Sequence, residues 1–99
     1  MMNIRKSEEG NNVILYLEGK LDTITSPDLA EEVSKCNGDF QNLIFDFEKL
    51  EVVSSAGLRV ILNTHQDMKD GQKLIIRNVS ELIMGIFEIT GFGDILNVE

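Results

Sequence analysis

Between Asn42 and Met68 the sequence changes its period once, and that change limits what the chain can fold into. Asn42-Leu43-Ile44-Phe45-Asp46-Phe47 is a short, almost continuous apolar run, which suits a central buried strand. Leu58, Ile61, Leu62, His65 and Met68 then recur at i, i+3, i+4, i+7 and i+10, the spacing of one helix face, and Asp70-Gly71 closes that helix. Ser54 and Ser55 stand at the junction, where a loop turns into the helix. A helix start carries unpaired backbone N–H groups and a partial positive charge, so it favours a serine cap and tolerates an added phosphate. A serine there is a structural cap or a switch.

The same alternation runs through the rest of the chain. Asn3 to Glu8 reads as a polar edge strand, Gly10-Asn11-Asn12 as a turn, and Val13 to Glu18 as a second strand. Val13, Leu15 and Leu17 share one face of that strand, and Ile14 and Tyr16 the other. Gly19-Lys20-Leu21-Asp22 ends it. Ser26-Pro27-Asp28 has the form of a helix start: a cap, a proline at the first helical position and an acid in the first turn. Leu29, Val33 and Cys36 fall at helical spacing, and Asn37-Gly38 stops this first helix. Lys73 to Arg77 is a further strand. Asn78-Val79-Ser80 caps a third helix that carries Leu82, Ile83, Ile86 and Phe87, with Gly91 and Gly93 ending it. Asp94 to Val98 is a last short strand.

The predicted order is therefore ββαβαβαβ. Strands alternating with helices imply right-handed crossovers that set neighbouring strands parallel. The fold class is α/β: a mixed, mostly parallel sheet of about five strands packed with three or more helices, the whole of residues 1–99 forming one domain. Leu58, Ile61 and Leu62 are expected to anchor the second helix over Leu43, Ile44 and Phe45.

Bulk properties narrow the function classes. Hydrophobic residues make up 42% and charged residues 26%, which excludes a disordered chain. The formal net charge of −8 repels phosphate backbones and anionic lipid, so neither nucleic acid nor a membrane is an expected partner. The longest apolar runs are far short of a membrane span. No signal peptide is legible at the start, and the single cysteine, Cys36, forms no internal disulfide; both fit a cytoplasmic protein, with Cys36 in a packing role.

Enzyme chemistry finds little support. The one histidine, His65, lies ten residues beyond Ser55 on the same helix, about 15 Å along the axis, against a hydrogen-bond reach of about 3 Å. A Ser-His dyad fails on that geometry, and no catalytic residue is assigned. One Cys and one His do not make a zinc set, no calcium loop is present, and no metal or cofactor is expected. Gly91-Phe92-Gly93 begins like a dinucleotide fingerprint, but Leu96 stands where the third glycine belongs. Asp22 and Asp46 lie at or near strand ends, where functional loops gather in open α/β sheets, and where a turn or strand-end role is equally served.

Leu50-Glu51-Val52-Val53-Ser54-Ser55-Ala56-Gly57-Leu58-Arg59-Val60-Ile61-Leu62 closely resembles the signature of STAS domains, in particular bacterial anti-sigma factor antagonists. Leu17 to Asp22 resembles the family's strand ending in Gly-x-Leu-Asp, Asn42 to Phe47 its central strand, and Val79-Ser80 with Ile86 to Phe92 its last helix and exit. The resemblance implies a STAS-type sheet covered by helices and a protein-binding switch. The unphosphorylated antagonist binds an anti-sigma factor and frees the sigma factor; that anti-sigma factor is often a serine kinase, and a serine phosphatase resets the phosphorylated form. It implies Ser55 as phosphoacceptor, three positions before the motif leucine, with Asp22, Ser54, Ala56 and Gly57 as its neighbours in the switch site. Many members carry an acid where this chain has Ser54, which makes Ser54 the second candidate. A STAS module that scaffolds a larger signalling complex, or senses a small molecule or nucleotide without phosphorylation, is the other reading the resemblance leaves open.

Overall fold

The computed structural model describes residues 2–36, 38 and 40–99. Two strands open the chain, β1 (Met2–Glu9) and β2 (Asn12–Leu21). They pair antiparallel through the two-residue turn Gly10-Asn11, and Gly10 sits at φ 62°, a left-handed conformation that costs glycine nothing. Then come α1 (Ser26–Ser34), β3 (Asn42–Val53), α2 (Ser55–Gln66), β4 (Lys73–Arg77), α3 (Glu81–Thr90), a 3₁₀ turn over Phe92–Asp94, and β5 (Asn97–Val98). The sheet order is β1-β2-β3-β4-β5, with β2 through β5 mutually parallel. The predicted ββαβαβαβ architecture is the one observed.

One apolar cluster holds the layers together. Val13, Leu15 and Leu17 of β2, Leu43, Phe45 and Phe47 of β3, and Leu74 and Ile76 of β4 form its floor. Leu29 of α1, Leu58 and Ile61 of α2, and Ile83 and Phe87 of α3 cover it. The period-2 alternation of β2 sends Ile14 and Tyr16 to the opposite face, as expected. That face bears no helix. It carries instead an ion pair between a half-buried arginine and a buried acid: Arg77 Nε donates to Asp46 Oδ2 at 2.8 Å, and Asn78 Nδ2 donates to the same oxygen at 3.1 Å.

Several expectations need correcting. Ser26 is the first residue of α1, not its cap; Thr25 holds the cap position, because Ser26 N–H bonds the Asp22 carbonyl at 2.8 Å and so already belongs to a helical turn. Helix α1 ends at Ser34, ahead of Cys36, which is half-buried against the core. The Asn37 half of the predicted stop lies outside the described residues. Strand β3 runs six residues past Phe47, to Val53, and two register shifts against β2 let it continue through the polar Glu48-Lys49 segment. Strand β5 is only two residues long, since Phe92–Asp94 forms a 3₁₀ turn first.

Two leucines also move. Leu62 is half-buried and outside the core; the inward face of α2 is Gly57, Leu58, Ile61 and Thr64. The floor beneath it is Leu43 and Phe45, while Ile44 points to the other face. Thr64 is tolerated inside because its hydroxyl bonds the Val60 carbonyl at 2.7 Å. Leu82 is 62% exposed, and α3 turns Ile83 and Phe87 inward instead.

Candidate functional site: the start of the second helix

Strands β2, β3 and β4 run parallel, so the segments that follow them meet at one edge of the sheet, here called the carboxyl edge. Leu21 pairs with Val53 at the last step of the β2–β3 register. Directly beyond it, Ser54 N–H donates to the Leu21 carbonyl at 2.8 Å. Ser54 is in extended backbone at φ −88°, ψ 173°, and its hydroxyl accepts from Gly57 N–H at 3.3 Å. That is the geometry of an N-cap. Leu58 N–H then closes the first helical turn on the Ser54 carbonyl at 2.9 Å.

Ser55 is the first residue of α2 and its side chain is exposed. Among the described residues its hydroxyl has no hydrogen-bond partner, whereas the Ser54 hydroxyl is occupied. The junction thus separates two roles the sequence could not: Ser54 caps, and Ser55 presents a free hydroxyl to solvent. No acid lies in the first turn of α2 itself.

Ala56 is half-buried behind Ser55, and Gly57 is buried. A Cβ on Gly57 would lie 2.7 Å from Leu21 Cγ and 3.1 Å from the Leu21 carbonyl oxygen. The glycine is therefore the contact that lets α2 approach the end of β2. The family resemblance implies Gly57 beside the switch; a lone glycine gives no sequence signal of this packing.

Asp22 organises the next loop. Its Oδ1 accepts from Ile24 N–H at 2.9 Å and from Thr25 N–H at 3.0 Å. Thr25 Oγ1 accepts from Asp22 N–H at 2.9 Å and donates to the Lys20 carbonyl at 2.7 Å. The Asp-x-x-Thr spacing is the legible sign of this turn, an acid bonding its own downstream backbone. The Thr25 backbone bond lowers the Asp22 pKa; partial burial opposes it, and the Ile24 bond adds to it, so the group is ionised at neutral pH. Asp22 thereby holds the loop that leaves Leu21, the residue α2 packs against.

Asp46, the other acid near a strand end in the sequence, belongs elsewhere. It lies mid-way along β3 on the helix-free face, with 4% of its surface exposed. Burial raises its pKa, but hydrogen bonds from Glu48 N–H, Arg77 and Asn78 outweigh that and hold it low. Its role is to tie β3 to β4 and to Asn78. His65 shares α2 with Ser55, ten residues on, so the helical rise keeps the two about 15 Å apart. Among the described residues no cluster of three or more His, Cys, Asp or Glu is placed to hold a metal, and no helix is long and apolar enough to cross a membrane.

Known proteins share this fold. The chain is 26% identical over 98 residues to the anti-sigma-B factor antagonist of Bacillus subtilis (strain 168), covering 98% of this chain and 90% of that one. Its fold superposes with a TM-score of 0.91 on the crystal structure of an anti-sigma factor antagonist from Mycobacterium paratuberculosis, at 15% identity, covering 99% and 85% of the two chains. It superposes with a TM-score of 0.75 on the Bacillus cell fate determinant SpoIIAA in its phosphorylated form, at 20% identity, covering 98% and 91%. Residues 3–99 match the STAS domain as a family, across both the helix start at Ser54-Ser55 and the sheet that positions it, and the chain belongs to that family.

Proposed function

We propose that this protein is an anti-sigma factor antagonist that works as a partner switch, with Ser55 as the phosphoacceptor. The unphosphorylated form binds an anti-sigma factor, which is also the serine kinase, and releases the sigma factor; a serine phosphatase restores the binding form. The observation that carries this reading is the division of labour at the α2 start. The Ser54 hydroxyl is engaged in the cap and the Ser55 hydroxyl is free and exposed. The kinship with antagonists, one of them solved in a phosphorylated form, supports it.

The physical account follows from position. A phosphate adds about −1.5 to −2 charges and three strong acceptor oxygens at neutral pH. On Ser55 it meets the free N–H groups of a helix start with no acid in its first turn, so the fold accommodates it. A partner seated over Ser55 has to strip the phosphate of water or repel it. Release then needs no unfolding.

The test is calorimetry of a purified cognate anti-sigma factor against wild type, Ser55→Ala and Ser55→Asp, each first shown folded. Ser55→Ala should bind like wild type. Ser55→Asp, with one charge and no phosphate oxygens, should bind roughly 5- to 150-fold more weakly. Equal affinity for wild type and Ser55→Asp removes the charge switch. With the kinase, Ser55→Ala should abolish phosphoryl incorporation while Ser54→Ala retains it, and a phosphate mapped to Ser54 by mass spectrometry reverses the assignment.

A further inference from the structure

Among the described residues four large apolar side chains stand exposed: Ile24 at 84%, Leu82 at 62%, Ile89 at 88% and Ile95 at 51%. Topology divides them into two pairs. Ile24 lies in the loop after β2, and Leu82 in the first turn of α3 after β4. Both therefore sit at the carboxyl edge, one on each side of the β3–α2 junction that carries Ser55. Ile89, in the last turn of α3, and Ile95, just before β5, sit at the opposite edge.

Neither carboxyl-edge residue is loosely held. The Ile24 backbone N–H is fixed by Asp22 Oδ1 at 2.9 Å, and the loop is closed behind it by the bond from Ser26 N–H to the Asp22 carbonyl at 2.8 Å. Leu82 follows a capped start, with Ser80 Oγ accepting from Ile83 N–H at 3.2 Å. Rigid apolar groups lose little backbone freedom on being covered, which makes them efficient contacts. The strands that launch the two segments are two sheet spacings apart, about 10 Å. A standard interface covers about 800 Å² on each partner, a patch roughly 30 Å across. A protein seated over Ser55 is therefore wide enough to span both segments.

We infer that Ile24 and Leu82 are the two apolar anchors of the docking face, and that the partner they fit is the anti-sigma factor, offering one apolar recess to each. This rests on the partner-switch reading and adds to it the reason release is strong. With apolar contacts closed on both flanks, the ground around Ser55 is dry. A phosphate there loses its water against apolar side chains on both flanks. The same arrangement explains why α3 turns a leucine outward at its second residue, which the core does not require.

The experiment measures affinity of the purified anti-sigma factor for wild type and for Ile24→Ala, Leu82→Ala and Ile89→Ala, with denaturation midpoints recorded for each. All three side chains are exposed, so the midpoints should stay near the wild-type value. Ile24→Ala and Leu82→Ala should each weaken binding roughly 10- to 100-fold, the loss of a buried aliphatic side chain, and Ile89→Ala should leave it unchanged. If wild type binds and the two carboxyl-edge variants match it, the anchors are wrong while the partner switch stands. If Ile89→Ala loses as much as they do, the docking face is not this edge. If wild type binds no anti-sigma factor, the functional reading itself falls and takes the anchors with it.

Discussion

Helices α2 and α3 begin in nearly the same way, and the residue that follows the cap sets them apart. Each follows a parallel strand at the carboxyl edge. Each has a serine in extended backbone, at φ −88°, ψ 173° for Ser54 and φ −69°, ψ 162° for Ser80. Each serine oxygen accepts from the backbone N–H three residues on, at 3.3 Å from Gly57 and 3.2 Å from Ile83. The next residue is Ser55 in α2 and Glu81 in α3. Helix α3 has its dipole answered by a built-in acid, and α2 has none. One fold thus holds a finished helix start beside one that a phosphate would complete. The cap is architecture common to both; the exposed hydroxyl at the first helical position is what α2 has alone.

The largest difference between the two starts should appear at the third helical residue. Ile83 is fully buried in the core, so Ile83→Ala should cost about 2–5 kcal/mol in denaturant unfolding. Gly57 fills the same helical position with nothing, because Leu21 occupies the space; Gly57→Ala should cost about 1–3 kcal/mol, even though alanine favours a helix. A neutral or stabilising Gly57→Ala would mean that α2 does not press on β2 as described. Leu62→Ala, half-buried and off the core, should cost less than Ile83→Ala.

The tethers behind the two starts differ in kind, and pH separates them. Helix α2 is held by a backbone bond, Ser54 N–H to the Leu21 carbonyl, which does not titrate; the nearby acid, Asp22, bonds its own loop and, among the described residues, makes no side-chain bond to α2. The turn into α3 contains Asn78 at φ 57°, held by the ionised Asp46. The folded pKa of Asp46 lies below its ordinary value. Its contribution is therefore present above the unfolded carboxylate pKa, about 3.9, and is lost as pH falls through the folded value. Corrected for the intrinsic slowing of amide exchange in acid, protection at the α3 start should fall on acidification before protection at the α2 start does. Asp46→Ala, which leaves Arg77 and Asn78 without their acceptor, should cost about 2–4 kcal/mol at neutral pH. Equal acid sensitivity at both starts would place the tether elsewhere.

These two starts also mark what a sequence discloses. The strand and helix order was legible because the change from period 2 to period 3.6 is physical: each element turns one face to the core. The site was legible as a junction, Ser54-Ser55 after a buried strand, but not as a division of roles, since two adjacent hydroxyls differ only in backbone geometry. Periodicity also leaves neighbours unresolved. Ile61 and Leu62, or Leu82 and Ile83, both satisfy an apolar stripe, and the exact rotation of the helix decides which turns inward. Thr64 carries no apolar signal in the sequence, since its hydroxyl looks polar until it bonds its own helix. Strand β3 outruns its apolar stretch because shifts in its pairing with β2 carry it through a charged segment.

The smallest expected effects test the comparison most directly. Removing either cap, by Ser54→Ala or Ser80→Ala, should cost about 1 kcal/mol, and the two should be alike; Ser55→Ala should fall within about 0.5 kcal/mol of wild type. Below that lies the dipole itself. Glu81→Gln should lower stability by about 0.3–1 kcal/mol at low ionic strength, since it removes the acid from the first turn of α3. Ser55→Asp should do the reverse for α2 by a similar amount, because it supplies the acid that start lacks. Both changes should shrink as salt is added, because these charges are exposed. Paired thermal melts of the two variants at low and high salt measure this without any partner. Opposite signs that converge with salt establish that α2 is an open counterpart of α3. A Ser55→Asp that destabilises at low salt would mean the α2 start does not welcome negative charge, and a phosphate on Ser55 would then have to act by straining the fold instead of sparing it.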